Sequence, residues 1–339
     1  VAVPGGRRDA SGSGGADGGA VWDARGGSGA RPLAAPPFDT AVPPQGYGWW
    51  YIDAMSDDRV HGLTIIAFIG SVFSPYYWRS GRRDPLDHVA LNVALYGPQG
   101  RWAMTERGRR SLTRTPDALT IGPSAMRWDG DALIVDFDEI GAPIPRRLRG
   151  SARIIPDSFA SQAFALDPAG RHIWQPVAPR ARVEVTLAEP SLSWSGTGYI
   201  DSNRGTEPLE AGFADWQWAR THLSADTAVF YEGVRRDGSE FALALRFDRD
   251  GNAEPIAAPP SSPLPRTGWR VDRRAWADAG SVARVVRTWE TSPFYARSTV
   301  ATRLFGEEVL GVHESLSLDR FRAPIVKAML PFRMPRRTR

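Results

Sequence analysis

The 339-residue chain contains no cysteine. That excludes a disulfide framework, a thiol nucleophile, an iron–sulfur cluster and a Cys-ligated zinc, and it leaves the redox compartment unreadable from cysteine usage. Histidine is scarce. His61, His88, His172, His222 and His313 are scattered, and no two stand at metal-ligand spacing. Lysine is nearly absent: Lys327 is the single one among 42 Lys+Arg, set against 38 Asp+Glu. The resulting net charge of +4 is too small to imply a nucleic-acid footprint. No Gly-x-Gly-x-x-Gly follows a strand, and there is neither a Walker-A loop nor a Gly-x-Ser-x-Gly elbow, so no nucleotide cofactor is indicated. The most apolar run, Leu63 to Phe73, falls short of the about 20 residues a spanning helix needs, so no transmembrane helix is expected.

What the chain does have is 13 Trp, 34 Gly and 28 Pro, with few long charged helical runs. Frequent turns and many aromatics predict an all-β architecture. Residues 1 to about 40 are Gly-rich and cannot bury enough apolar surface to offset their ordering entropy, so they read as a disordered tail. Order is expected from Gly46-Tyr47-Gly48-Trp49-Trp50-Tyr51. Residues 63–73 read as a buried strand with a bend at Gly70. In 180–187, Ala181, Val183, Val185 and Leu187 alternate on one face of a half-buried strand. Val229 to Arg235, a turn at 236–239 and Glu240 to Phe247 make a hairpin. Strands at such short intervals point to sandwiches or barrels rather than βαβ units. A boundary near residue 185 divides an N-terminal domain (41–185) from a C-terminal one (186–320). Beyond it, 321–339 reads as a short basic helix and tail. From Arg320 to Arg339 there are seven basic residues and no acid, interleaved with Ile325, Val326, Met329, Leu330, Phe332 and Met334. That is the composition of a membrane-surface contact, each basic residue contributing about 1 kcal/mol near anionic lipid; a solvated tail is the other reading.

The chemistry-bearing residues are an acid among aromatics. Tyr199 and Asp201 are two apart, so on an extended chain they share a face, as do His172 and Trp174. A carboxyl lodged against such rings is desolvated and its pKa rises. A rise of about 3 units would keep it protonated near neutral pH. Such an acid can protonate a weak base, and ring faces can stabilise the cation formed by up to about 2 kcal/mol each. The alternatives stay open at this level: Asp201 before Ser202-Asn203 also suits a turn, Trp174 a core, His172 a satisfied polar group. Trp216 and Trp218 read as core. Asp87 and His88, as strand neighbours, would point to opposite faces, and Asn92 is ambiguous.

Several long segments resemble the bacterial carotenoid 1,2-hydratases, also called hydroxyneurosporene synthases. They are Gly46 to Ala54, Phe68 to Tyr77, Ala90 to Gly97, Met104 to Arg107, Gly198 to Asn203, Phe294 to Ser298, His313 to Phe321 and Met329 to Pro335. The resemblance runs from about 45 to 336. It implies a pair of lipocalin-like β-barrels and cofactor-independent hydration of the terminal 1,2 double bond of acyclic carotenoids such as neurosporene and lycopene. The partners it implies are the carotenoid and water, with no nucleic acid. It also implies a peripheral position on the cytoplasmic face of the bacterial inner, photosynthetic membrane. The family's His-x-Trp and Tyr-x-Asp fall on His172, Trp174, Tyr199 and Asp201. On that reading Asp201 is the acid, Trp174 and Tyr199 shield the cation, and either His172 or the new Asp201 carboxylate takes the proton from water. A related enzyme acting on another polyene or terpenoid, a non-catalytic carrier of hydrophobic ligands and a carbohydrate-active protein are the rival readings.

Overall fold

The chain folds into two mainly antiparallel sheets, the first taken up before the second except for one C-terminal strand that returns to it, and the computed structural model describes residues 31–337. The first sheet takes β1 (Tyr47–Ser56), β2 (Gly62–Ile69), β3 (Val89–Tyr96), β4 (Arg101–Arg107), β5 (Leu112–Arg114), β6 (Ala118–Ile121), β7 (Ser124–Asp129), β8 (Ala132–Ile140) and β9 (Arg147–Pro156). It continues with β10 (Phe164–Ala165), the long β11 (His172–Glu189) and β12 (Leu192–Gly205). Neighbours run β4-β3-β2-β1-β12-β11-β9-β8-β7-β6-β5, with β10 beside β11. The second sheet holds β13 (Phe213–His222), β14 (Thr227–Arg235), β15 (Glu240–Phe247) and β16 (Ala253–Pro255). A separate ribbon of β17 (Ser261–Leu264) and β18 (Arg273–Trp276) follows, and then β19 (Arg284–Thr291), β20 (Tyr295–Leu304) and β21 (Glu307–Ser317) complete the second sheet in the order β16-β15-β14-β13-β21-β20-β19. Helices are short: α1 (Pro75–Arg79), α2 (Leu209–Gly212), α3 (Leu318–Phe321) and α4 (Pro324–Arg333).

The period-2 geometry of a strand explains where the site lies. In β1, Trp50, Ile52 and Ala54 point into the core enclosed by the first sheet, with Val93, Val135, Ile154 and Val183. Tyr47, Trp49 and Tyr51 point the other way, into a second core shared with Trp216, Trp218 and Tyr231 of the second sheet. The strand is therefore buried on both faces, which is why its sequence shows no polar alternation. β12 behaves likewise, with Ile200 in the first core and Tyr199 in the second. Even-numbered residues here build the first barrel; odd-numbered ones build the wall between the two sheets.

The expected bend at Gly70 is present. Its φ is +63°, and a Cβ there would lie 2.7 Å from the Gly46 carbonyl oxygen, so only glycine fits. The 229–247 hairpin forms as β14 and β15. Three expectations need correction. The boundary near 185 falls inside β11, whose partners are β9 and β12; the change of sheet comes at residues 206–212, around α2. Alternation in 180–187 marks a strand but cannot name its partners. Of the tail at 1–40, residues 1–30 lie outside the described residues, while Ala35 and Phe38 are buried, with the Phe38 ring 5.1 Å from Trp50. Finally, 321–337 is not a free basic tail. Val326 and Leu330 of α4 are buried, and β22 (Arg336–Arg337) pairs with β4. Arg336 is held by Glu106 and Asp87, so its charge is spent inside the fold.

Candidate functional site

Asp201 sits on β12, opposite Tyr51 of β1 in the antiparallel register. It is 4% exposed. Trp174 Nε1 donates to its Oδ2 at 2.9 Å, and the Tyr199 hydroxyl donates to the same oxygen at 3.0 Å. Asn203 Nδ2 stands 3.4 Å from Oδ1, a long contact that leaves this oxygen to carry a proton. No cation pairs with the carboxyl among the described residues. Burial is the main cause that pushes the Asp201 pKa up to about 8; the two donors offset this only in part, and the nearby charges of Glu314 and Asp53 add to the rise.

The tripeptide Tyr-Ile-Asp occurs twice, as Tyr51-Ile52-Asp53 and Tyr199-Ile200-Asp201. The register sets the two copies head to tail, Tyr51 against Asp201 and Asp53 against Tyr199. The two carboxyls meet opposite fates. Burial would raise Asp53 as well, but Arg220 and Arg297 pair with it and carry its pKa below the ordinary carboxylate value. Arg220 Nε donates to Asp53 Oδ1 at 2.7 Å, and Arg297 donates to Oδ2 at 3.0 Å. Arg297 reaches on to Glu314 and to the Tyr51 hydroxyl, which itself donates to Glu314 Oε1 at 2.7 Å. One twin is thus an ion-paired anion and the other a neutral acid, because their environments push the two pKa values apart.

A cavity of about 330 Å³ opens beside these groups, between the two sheets. Asp201, Asn203, Tyr51 and Glu314 line it together with Trp49, Phe68, Phe73, Trp216, Trp218, Tyr231, Phe294 and Tyr295. Its size is at the low end for ligand sites, and its wall is mostly apolar and rich in aromatic rings. Helix α4 covers part of it with Val326, Met329 and Leu330, while Ile325 and Phe332 on the opposite side of the helix are 69% and 75% exposed.

Three of the four expected site residues come together: Trp174, Tyr199 and Asp201 form one hydrogen-bonded group. Trp174 and Tyr199 stand behind Asp201, fully buried, rather than on the cavity wall. His172 is set apart. Its Nδ1 lies 2.9 Å from the Tyr47 hydroxyl and its Nε2 3.1 Å from Glu207, and it does not line the cavity. Burial lowers its pKa despite Glu207. Through Tyr47, stacked at 4.9 Å on Trp49, it supports one wall. Trp216 and Trp218, read as core, are buried and also face the cavity, as does Asn92. Asp87 and His88 do not pair: His88 Nδ1 is 2.7 Å from Glu106, and Asp87 takes Arg336.

A family model described as Carotenoid hydratase CrtC matches residues 65–339. The chain belongs to the carotenoid hydratase family. The acyclic carotenoid 1,2-hydratase of Thiocapsa roseopersicina is 56% identical over 332 residues, covering 96% of this chain and 81% of that protein. The acyclic carotenoid 1,2-hydratase of Rubrivivax gelatinosus is 51% identical over 310 residues, with 89% and 76% covered. Among solved structures, an AttH protein from Nitrosomonas europaea superposes with a TM-score of 0.58 at 14% identity, covering 83% of this chain and 98% of that one. Kievitone hydratase from Nectria haematococca gives 0.52 at 10% identity, with 81% and 90% covered. At these identities the likeness concerns fold, and it agrees with the expected all-β, lipocalin-like architecture.

In this carotenoid hydratase family member, the reading of the residues missed the Asp53–Arg220–Arg297–Glu314 network and Tyr51. A signal was available in the doubled Tyr-Ile-Asp: two copies on strands buried on both faces suggest that they meet. Nothing local marks Arg220, Arg297 or Glu314, because their partners lie far away in sequence.

Proposed function

We propose that this protein adds water across the terminal 1,2 double bond of an acyclic carotenoid such as neurosporene or lycopene, with Asp201 as the proton donor. The observation that carries the reading is one buried acid bordering an apolar cavity rich in aromatic rings, with no cationic partner among the described residues, and burial pushes its pKa up to about 8. A dimethyl-substituted alkene is a weak base that only a positioned, neutral acid in a dry site will protonate. The proton on Oδ1 of Asp201 goes to carbon 2, leaving a tertiary cation at carbon 1. Tyr51, Trp216, Trp218 and Tyr231 present ring surfaces to that cation. Water then bonds to carbon 1. In this reading Trp174 and Tyr199 act on Asp201, fixing which oxygen holds the proton, and His172 acts on the wall through Tyr47.

The proposal includes a membrane surface, at the cytoplasmic face of the bacterial inner membrane. No helix among the described residues is long and apolar enough to span a bilayer. Ile325 and Phe332 lie one above the other on the exposed side of α4, while its other side covers the cavity, so this helix can lie on lipid over the entrance. The test is incubation with lycopene and with neurosporene in micelles, followed by mass spectrometry. A product heavier by one water, hydroxylated at carbon 1, is expected; unchanged substrate in both cases refutes the reading.

A further inference from the structure

The reaction needs a second group, because water that attacks carbon 1 must shed a proton. We propose that Glu314 is the base that receives it. This rests on Asp201 being the acid, and geometry carries it. Three carboxyls line the cavity: Asp201, Glu290 and Glu314. Asp201 is the donor. Glu290 accepts from the Tyr96 hydroxyl at 2.7 Å and has only the half-exposed Arg333 near it, at 3.8 Å, so burial prevails and raises its pKa, which favours its neutral form. Glu314 is differently placed. It is ion-paired with Arg297, itself 2% exposed, and it accepts from Tyr51. Both hydrogen bonds end on Oε1, which leaves Oε2 to accept from water in the cavity. Charge balance points the same way. Arg220 and Arg297 are matched by Asp53 and an ionised Glu314, so the network is neutral only if Glu314 is an anion. Asp53 cannot serve, because both its oxygens are taken by guanidinium groups and it does not line the cavity.

Acid and base flank one phenol. Tyr51 is the direct cross-strand partner of Asp201, with Cβ atoms about 5 Å apart in such pairs, and its hydroxyl touches Glu314. A proton-donating acid combined with an ionised carboxylate that activates water is the division of labour of inverting glycoside hydrolysis. Here the steps balance as follows. The alkene π pair takes the Asp201 proton and forms the C2–H bond. A water lone pair forms the C1–O bond. The O–H bond then breaks toward Oε2 of Glu314. One water has been added, Asp201 is a carboxylate and Glu314 is protonated; proton exchange with water admitted once the product has left restores both.

The decisive experiment uses Glu314→Gln in D2O, with folding checked by thermal melting and carotenoid binding by quenching of tryptophan fluorescence. Hydration is expected to fall by about 10²–10⁴-fold, the usual range for a positioned base. Deuterium should still enter carbon 2 and the adjoining methyl groups, since Asp201 can protonate the alkene and retrieve a proton from the cation. Glu314→Asp retains the charge but withdraws it by one methylene. It should lose at least about tenfold in hydration with exchange intact, and it serves if the Gln variant does not fold. Wild-type hydration in either variant overturns the proposal. So does loss of both hydration and exchange in a folded, carotenoid-binding variant, which would make Glu314 a support for Asp201. Asp201→Asn separates the two ideas: it should abolish exchange and hydration together, and exchange surviving there would refute the acid rather than the base.

Discussion

Replacing Asp201 by Asn should cost the protein its activity and raise its stability at neutral pH. Asn is nearly isosteric, and its carbonyl oxygen can accept from both Trp174 Nε1 and the Tyr199 hydroxyl. What it lacks is the proton, so hydration should fall by at least about 10²–10⁴-fold. The stability effect follows from linkage. The Asp201 pKa rises from 3.8 to about 8 on folding, so between those values the folded chain holds a proton that the unfolded chain has released. The unfolded state therefore binds fewer protons, and stability declines with rising pH. The slope is about 1.4 kcal/mol per pH unit, and across the window the loss is on the order of 5 kcal/mol. About 4 kcal/mol of it is already lost at pH 7 by the same arithmetic. That is a large share of the 5–15 kcal/mol typical of a domain. The assay is urea unfolding of both proteins from pH 4 to 9. Wild type minus variant should become steadily less favourable to wild type up to about pH 8 and then level off. A difference that stays flat over this range refutes the claim that Asp201 is kept neutral by burial. Wild-type hydration should show the companion effect, falling about tenfold per pH unit above 8.

Trp174→Phe and Tyr199→Phe each remove a donor that favours the ionised form of Asp201. The alkaline limb of the pH–rate profile should therefore move above its wild-type position while the rate drops; a downward move would show that these bonds favour the acid instead. Ile325→Ser combined with Phe332→Ser removes two exposed apolar side chains from α4. With roughly 1.5–3 kcal/mol per fully buried side chain, partition onto anionic vesicles should weaken by tenfold or more with the melting temperature unchanged. Equal partition of variant and wild type in a sedimentation assay would remove α4 from the membrane contact.

The legible parts of the molecule were those that depend on near neighbours. The bend at Gly70, the 229–247 hairpin and the facing pairs His172/Trp174 and Tyr199/Asp201 all follow from backbone preference or strand period. Pairing choices were not legible. The strand at 180–187 was visible, yet its place between β9 and β12 moved the boundary from 185 to 206–212. The basic C-terminus was visible as charge, yet Arg336 spends its charge on Glu106 and Asp87. Trp174 and Tyr199 were legible as neighbours of an acid but not as lying behind it, because a face shared along a strand does not say what fills the space beyond.

From the residues alone come the all-β class, the density of aromatic rings and an acid set among them, since each is a matter of composition or of two-residue spacing. The sequence writes Tyr-Ile-Asp twice without distinguishing the copies. Only the folded chain brings Arg220 and Arg297, 167 and 244 residues away, to Asp53 and to no oxygen of Asp201. A guanidinium at contact distance outweighs burial, and burial with no guanidinium does the reverse. The same carboxyl group becomes a fixed anion on β1 and a neutral acid on β12.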